Sequence, residues 1–367
     1  MKKMILHIGH GKTGSSAIQS FLSLNADQLM RLGLIFPMDE ETDYSKEGRI
    51  SSGNYKILLN ETIEFPADKT IIFSGEHLFF ELLDEDVFSK KVIKKIDRLT
   101  VILYTRNIME FLHSYFDQSI KRDGNTDTID NFLLHSNNKI HELIFDWIKM
   151  SKKYDFKLVI KNYSNYKENI LDSFLGLLKH YTSKEIPPID KFKMPNRIKV
   201  NRSLDNIERQ NIIVLNNLYP RFASKISDLW VEEFPNRKSE ITKVQIETFE
   251  KLLKYYEPII IKLNKILDLQ EKIKFGNADE FVTIYESNEL SINQKDALNN
   301  LFLSNFINFE DCSNFVDTIR DIALKIENDK KNLNIKDAYE LMKIAHRFRQ
   351  EGPIIKQKLQ EWHDVVN

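Results

Sequence analysis

The sequence predicts an α/β protein built on a mainly parallel sheet with helices on both faces, followed by an α-helical extension. Three observations predict it. Short apolar runs at Met4–Ile8, Leu34–Phe36, Thr70–Phe73, Leu99–Thr105 and Phe156–Ile160 alternate with stretches of helical periodicity. Strands separated by helices imply βαβ units and parallel pairing. From about residue 204 onward nearly everything reads as helix, so the strand-forming part of the chain ends well before its end.

Each element has its own signal. Met4–Ile8 is a buried strand, and the turn after it carries Gly9, Gly11 and Gly14. From Ser15 the pattern becomes helical, with Ile18, Phe21 and Leu22 on one face. Leu34–Phe36 is closed by Pro37, and residues 38–56 are polar and contain Gly48, Ser51, Ser52, Gly53 and Asn54, which predicts a long loop of the functional or mobile kind. Thr70–Phe73 leads into Ser74-Gly75-Glu76-His77, and a helix is expected from about Asp86 to Ile96. Leu99–Thr105 is the strongest strand and delivers Arg106; apolar residues then recur at helical spacing from Ile108 to Arg122. Helices at 139–153 and 166–181 flank Phe156–Ile160, which is followed by Lys161, Asn162 and Tyr163. Pro187, Pro188 and Pro195 mark irregular backbone, and Arg197, Lys199 and Arg202 form a small basic patch. A long amphipathic pattern occupies 247–272, with Tyr255 and Tyr256 expected in the core. Further helical stretches at 292–307, 313–327, 335–350 and 353–364 complete the chain. The expected organisation is an α/β domain at 1–275 and a helical appendage at 276–367.

Composition narrows the partners. A net charge of −1 over 367 residues offers no field for nucleic acid or an anionic membrane, so any anion site must be local. No apolar stretch approaches the roughly 20 residues that cross a bilayer, which predicts no transmembrane segment. One cysteine, Cys312, excludes an internal disulfide and fits a reducing compartment; the expected location is the cytoplasm.

The opening turn is the chemical centre. Strand, glycine turn and helix point backbone N–H groups and a positive helix end at one anion, to which Lys12 adds a full charge and Ser15 and Ser16 add hydroxyls. Such a P-loop-like arrangement suggests a nucleoside triphosphatase or kinase. However, Gly-x-x-x-x-Gly-Lys-[Ser/Thr] needs a glycine where this chain has Leu6. Those enzymes also take a Mg²⁺-holding carboxylate from a neighbouring strand, and here the best strand ends in Arg106. In parallel sheets ligands bind at the carboxyl ends of strands. That rule gathers Lys12 to Ser16, Gly75 to His77, Arg106 with its helix, and Lys161 to Tyr163 at one edge.

These residues resemble a known family. Lys12-Thr13-Gly14-Ser15-Ser16 is similar to the 5′-phosphosulfate loop of sulfotransferases that use 3′-phosphoadenosine-5′-phosphosulfate (PAPS), and Arg106 with Ser114 resembles their 3′-phosphate site. Ser74-Gly75-Glu76-His77 stands where many members carry the catalytic base, and Asn201-Arg202-Ser203-Leu204 resembles an Asn-x-Ser-Leu element of bacterial carbohydrate sulfotransferases. The resemblance covers roughly residues 4–270 in element order. It implies PAPS as co-substrate with no metal required, a loop of Gly11, Lys12, Thr13, Gly14, Ser15 and Ser16 around the 5′-phosphate, and Arg106 and Ser114 on the 3′-phosphate. It also implies Lys12 in catalysis, Glu76 or His77 as base, and a carbohydrate acceptor such as a bacterial surface polysaccharide or its precursor. A kinase and a non-catalytic nucleotide-binding interaction protein are the rival readings. The C-terminal helices are candidates for self-association or protein contact. Tyr163 reads as packing or as a wall of an adenine pocket, and His7 and His10 read as structural because they lack metal-ligand spacing.

Overall fold

A computed structural model describes residues 1–39, 53–60, 66, 68–136, 138–182, 184–195, 203–218, 223–224, 226–228, 231, 240–282, 316–317, 319–321, 323–324, 335–349 and 351–366. Arg197, Lys199, Asn201, Arg202, Cys312, the stretch 292–307 and residues 40–52 of the expected long loop lie outside them.

Five strands, β1 (Lys3–His7), β2 (Leu34–Ile35), β3 (Thr70–Ser74), β4 (Arg98–Thr105) and β5 (Lys157–Asn162), form one sheet in the order β2-β3-β1-β4-β5. Every pairing is parallel. Parallel strands are buried on both faces and therefore read as continuous apolar runs. Here Ile5, Ile72, Ile102 and Tyr104 join one core with the helices Ser15–Leu24 and Ile170–Leu178. Alternation sends Met4, Leu6, Ile71, Phe73, Val101 and Leu103 the other way, and these are buried too. The helix Ile140–Lys153 contributes Trp147, whose indole N–H donates to the Phe79 carbonyl at 3.2 Å.

Register fixes the functional edge. His7 at the end of β1 lies opposite Ser74 on one side and Ile102 on the other, and Thr105 lies opposite Asn162. The carboxyl ends of β1, β3, β4 and β5 thus open onto one rim.

Several local expectations change. The helix expected over 86–96 runs Glu85–Lys91, started by the Asp84 side chain accepting from Asp86 N and Val87 N, and then tightens into a 3₁₀ turn at Ile93–Lys95. Short helices at Tyr55–Asn60, Leu78–Glu81 and Ile129–His135 were masked in the sequence by their length. The long amphipathic helix runs Ile246–Asn264 and ends where the Asn264 side chain makes reciprocal bonds with Ile273, donating to its carbonyl and accepting from its N–H at 2.8 Å each. Tyr256 is buried there, but Tyr255 is 45% exposed and donates to Glu142, because neighbouring residues on a helix point in different directions.

Contacts divide the chain into Met1–Ser287 and Asn288–Asn367. The boundary falls beyond the expected 275 because residues 276–282 pack into the first unit. Phe281 is buried against His113, and its carbonyl accepts from Val244 N at 2.8 Å. In the second unit the helices Ile335–Phe348 and Pro353–Val366 pack on each other. No helix among the described residues is long and apolar enough to cross a membrane.

Candidate functional site

The turn after β1 is shaped by steric necessity. Ile8 N still donates to Ile102 O at 2.9 Å, continuing the sheet, and Gly9 then lets the chain double back. A Cβ on Gly9 would sit 2.4 Å from Thr13 Oγ1 and 2.7 Å from Ser15 Oγ, so no larger residue fits. Thr13 Oγ1 donates to the His10 carbonyl at 2.7 Å and closes the turn. Lys12 adopts φ 72° and Gly14 φ 81°, and the helix starts at Ser15 with no side-chain cap. A non-glycine residue in the left-handed region costs of order 1 kcal/mol, and such strain gathers where ligands bind. The hydroxyl of Ser15 is buried without a hydrogen-bond partner, and its amide and that of Ser16 find no acceptor among the described residues. Unmatched donors over a positive helix end suit an anion.

Glu76 comes to this turn from β3. Gly75 N donates to His7 O at 3.1 Å, which seats the Ser74–His77 segment beside the loop. The Glu76 carboxylate oxygen Oε2 lies 3.5 Å from where a Gly11 Cβ would stand. Burial pushes the Glu76 carboxyl above its usual range, opposed by the charges of Lys12 and His77. Burial pushes the Lys12 ammonium down, while Glu76 and Asp117 favour its charged form and Arg122 and Arg106 oppose it. His77 is exposed, its ring 4.8 Å from that of Tyr55. Of the two base candidates, Glu76 is the one against the loop.

Arg106 leaves the end of β4. Its Nη1 donates to the Lys12 carbonyl at 3.2 Å, its Nε donates to Glu110 at 3.4 Å, and its guanidinium lies 5.4 Å from the centre of the Tyr163 ring. Nη2 has no acceptor among the described residues. Tyr163 also abuts Gly14, whose added Cβ would lie 2.8 Å from its ring. Glu110 gathers Asn107, Ser164, Lys167 and Arg106; burial would raise its carboxyl, but Lys167 first, then Arg106 and Asn107, hold it below the usual range. Ser114 is buried on the helix Ile108–Arg122, one turn beyond Glu110 and one turn before Asp117, on the same stripe.

Three groups of partners come from other parts of the chain. Asp117 pairs with buried Arg209 at 2.8 Å, and Arg209 also donates to Asn206 and to the Leu204 and Glu240 carbonyls. The start of the Arg209 helix is fixed by reciprocal bonds between Asp205 and Glu208, an Asp-x-x-Glu spacing that sequence reading can find. Glu271 is 1% exposed and accepts from Lys161 Nζ at 2.7 Å, Tyr166 OH at 2.5 Å and Asn162 N at 2.8 Å. The chain after it donates Lys274 N to Asn107 Oδ1, and the Lys274 and Phe275 carbonyls accept from Ile108 N and Met109 N. The first turn after Arg106 is therefore capped by a segment whose Lys274 lies 167 positions from Asn107 in sequence. Finally, Gly53 and Asn54 dock on the end of β3, where Asn54 N donates to Ser74 O and Asn54 Oδ1 accepts from Ser74 N.

The lysine of the turn, the Glu76 carboxylate and the Arg106 guanidinium thus converge on one rim, and Ser114 is buried further along the helix that follows Arg106. A cavity of about 280 Å³ lies at the opposite, amino-terminal edge of the sheet, lined by Lys3, Thr70, Arg98, Thr100, His180 and Tyr181. None of the residues singled out from the sequence lines it. No protein-family model matches the chain, and a search of curated proteins finds no match.

Proposed function

We propose that this chain moves a sulfuryl group from PAPS to a hydroxyl or amine of a carbohydrate acceptor. The observation that carries the reading is the Arg106 Nη1 to Lys12 carbonyl bond. It brings a guanidinium fork beside a glycine turn with open donors, an adjacency that supports a nucleotide with anionic groups at both ends of one ribose.

The residues fit that nucleotide. The buried, unpartnered Ser15 hydroxyl, the open Ser15 and Ser16 amides and Lys12 suit the 5′ end. Arg106, through its open Nη2, and Ser114 suit the 3′-phosphate, with Tyr163 beside them as a wall. PAPS supplies the activated sulfuryl group: its bond from sulfur to the bridging phosphate oxygen breaks as the bond from sulfur to the acceptor oxygen or nitrogen forms. Lys12 meets the charge that gathers on the departing phosphate oxygen. Glu76 takes the acceptor proton, and a carboxyl raised by burial is a better base near neutral pH than an ordinary one. The shared rim holds both reactants in line, which contributes rate through orientation.

Thermal unfolding with ligand tests the reading. Adenosine 3′,5′-bisphosphate at a hundredfold excess over its dissociation constant is expected to add about 2.7 kcal/mol of stability, and ATP with Mg²⁺ much less. Transfer of labelled sulfate from PAPS to a carbohydrate panel is then expected with the native chain and lost in Lys12→Ala. A preference for ATP with Mg²⁺ would favour a kinase. Bisphosphate binding without turnover on any acceptor would favour a non-catalytic nucleotide-binding protein.

A further inference from the structure

We propose that His10 is a positioning residue that sets the spacing between the two anion-binding halves of the rim, through a hydrogen-bond relay from the Gly11 carbonyl to Thr105. The inference rests on the nucleotide reading above.

The geometry forces the assignment. His10 Nδ1 lies 3.1 Å from Gly11 O, and a carbonyl only accepts, so Nδ1 carries the proton. The ring is fully buried among Phe79, Phe111 and His141, and burial together with the neighbouring His141 lowers its pKa to about 3. A neutral ring protonated at Nδ1 has a bare Nε2, which accepts from Thr105 Oγ1 at 3.3 Å. One imidazole therefore holds the backbone of the phosphate turn at one end and the last residue of β4 at the other. Arg106 follows Thr105 directly, and its carbonyl accepts from His141 Nε2 at 3.0 Å. Thr13 locks the same unit from the far side by donating to the His10 carbonyl at 2.7 Å. The turn and the arginine leave neighbouring strands whose pairing sets their general approach; beyond the last ladder bond, Ile8 N to Ile102 O, their fine separation depends on such cross-links and on the Arg106 to Lys12 bond.

A ligand anchored at both ends binds more tightly than either anchor alone only when the anchors match its length. Losing the relay should therefore reduce binding of the doubly anchored ligand selectively. The test is calorimetric titration of adenosine 3′,5′-bisphosphate, adenosine 5′-phosphate and adenosine 3′-phosphate into the native chain and into Thr105→Val, Thr105→Ser and His10→Asn. Thr105→Val removes the hydroxyl at nearly constant volume, Thr105→Ser restores it, and His10→Asn keeps the donor to Gly11 but cannot reach Thr105. The expected result is about tenfold weaker bisphosphate binding in Thr105→Val and His10→Asn, with both monophosphates within about twofold of native and Thr105→Ser close to native. Parallel weakening of all three ligands, matched by a lower unfolding temperature, would make His10 merely structural and overturn the proposal. So would unchanged bisphosphate binding in Thr105→Val and His10→Asn. A native chain that binds none of the three ligands would instead remove the nucleotide reading beneath it.

Discussion

Glu271→Ala should unfasten the segment that caps the helix following Arg106. The native carboxylate is 1% exposed and takes three donors, from Lys161, Tyr166 and the Asn162 backbone. Lys161 and Tyr166 are partly exposed and can rehydrate once their acceptor is gone. The Asn162 amide is buried and cannot, so it retains a desolvation cost of about 1–3 kcal/mol. Adding the lost ion pair at Lys161, whose side chain is 17% exposed, gives a total of about 3–4 kcal/mol, the lower part of the range for breaking a buried pair. For a unit of this size about 2 °C of melting temperature is lost per kcal/mol, so the transition should fall by about 6–8 °C. Glu271→Gln keeps an oxygen for Asn162 N and forfeits only the charge, at about 1–2 kcal/mol. Calorimetry on both variants, with limited proteolysis to locate the loosened region, measures the effect. Equal melting temperatures for the Ala and Gln variants, or a fall under 2 °C in Glu271→Ala, would show that the buried carboxylate does not hold the segment in place.

Other outcomes follow from the same residues. On the proposed reading, the rate of sulfuryl transfer should rise with pH through an ionisation above the usual carboxylate range, because a base at Glu76 must be charged to act and burial opposes that charge; Glu76→Gln should then lose about 100-fold in kcat together with that limb of the pH profile. Gly9→Ala drives a methyl into Thr13 and Ser15, so it should cost about 1–3 kcal/mol in thermal unfolding and weaken nucleotide binding in titration. Acid should destabilise the fold earlier than carboxylate protonation alone predicts. Burial lowers His7, His10 and His113 to about 3 and His141 to about 4, whereas the unfolded chain takes up those protons near 6.5. The stability is full above about pH 6.5 and falls toward pH 4, by up to about 1.4 kcal/mol per pH unit for each histidine. Melting temperatures measured from pH 7.5 to 4.5 should show a steep drop, and His113→Phe should reduce its slope.

The sequence by itself determined the strands and the residues that stand at their carboxyl ends. A buried parallel strand needs an unbroken apolar run, and a phosphate-type turn needs glycines at fixed offsets, so β1, β4, Gly9, Lys12 and Arg106 are legible from a few adjacent residues. Short helices such as Leu78–Glu81 are not, since four residues carry too little periodicity to register. Tertiary structure alone decided which strands are neighbours, and hence that Arg106 reaches the Lys12 carbonyl. It also chose Glu76 over His77 as the carboxyl edge's inward group, and recruited Glu271 and Arg209 from about 110 and 92 residues away in sequence. The physical reason is common to all of these. Burial raises the cost of an unpaired charge or amide, and the partner that relieves that cost is chosen by packing in space, for which the linear chain has no local code.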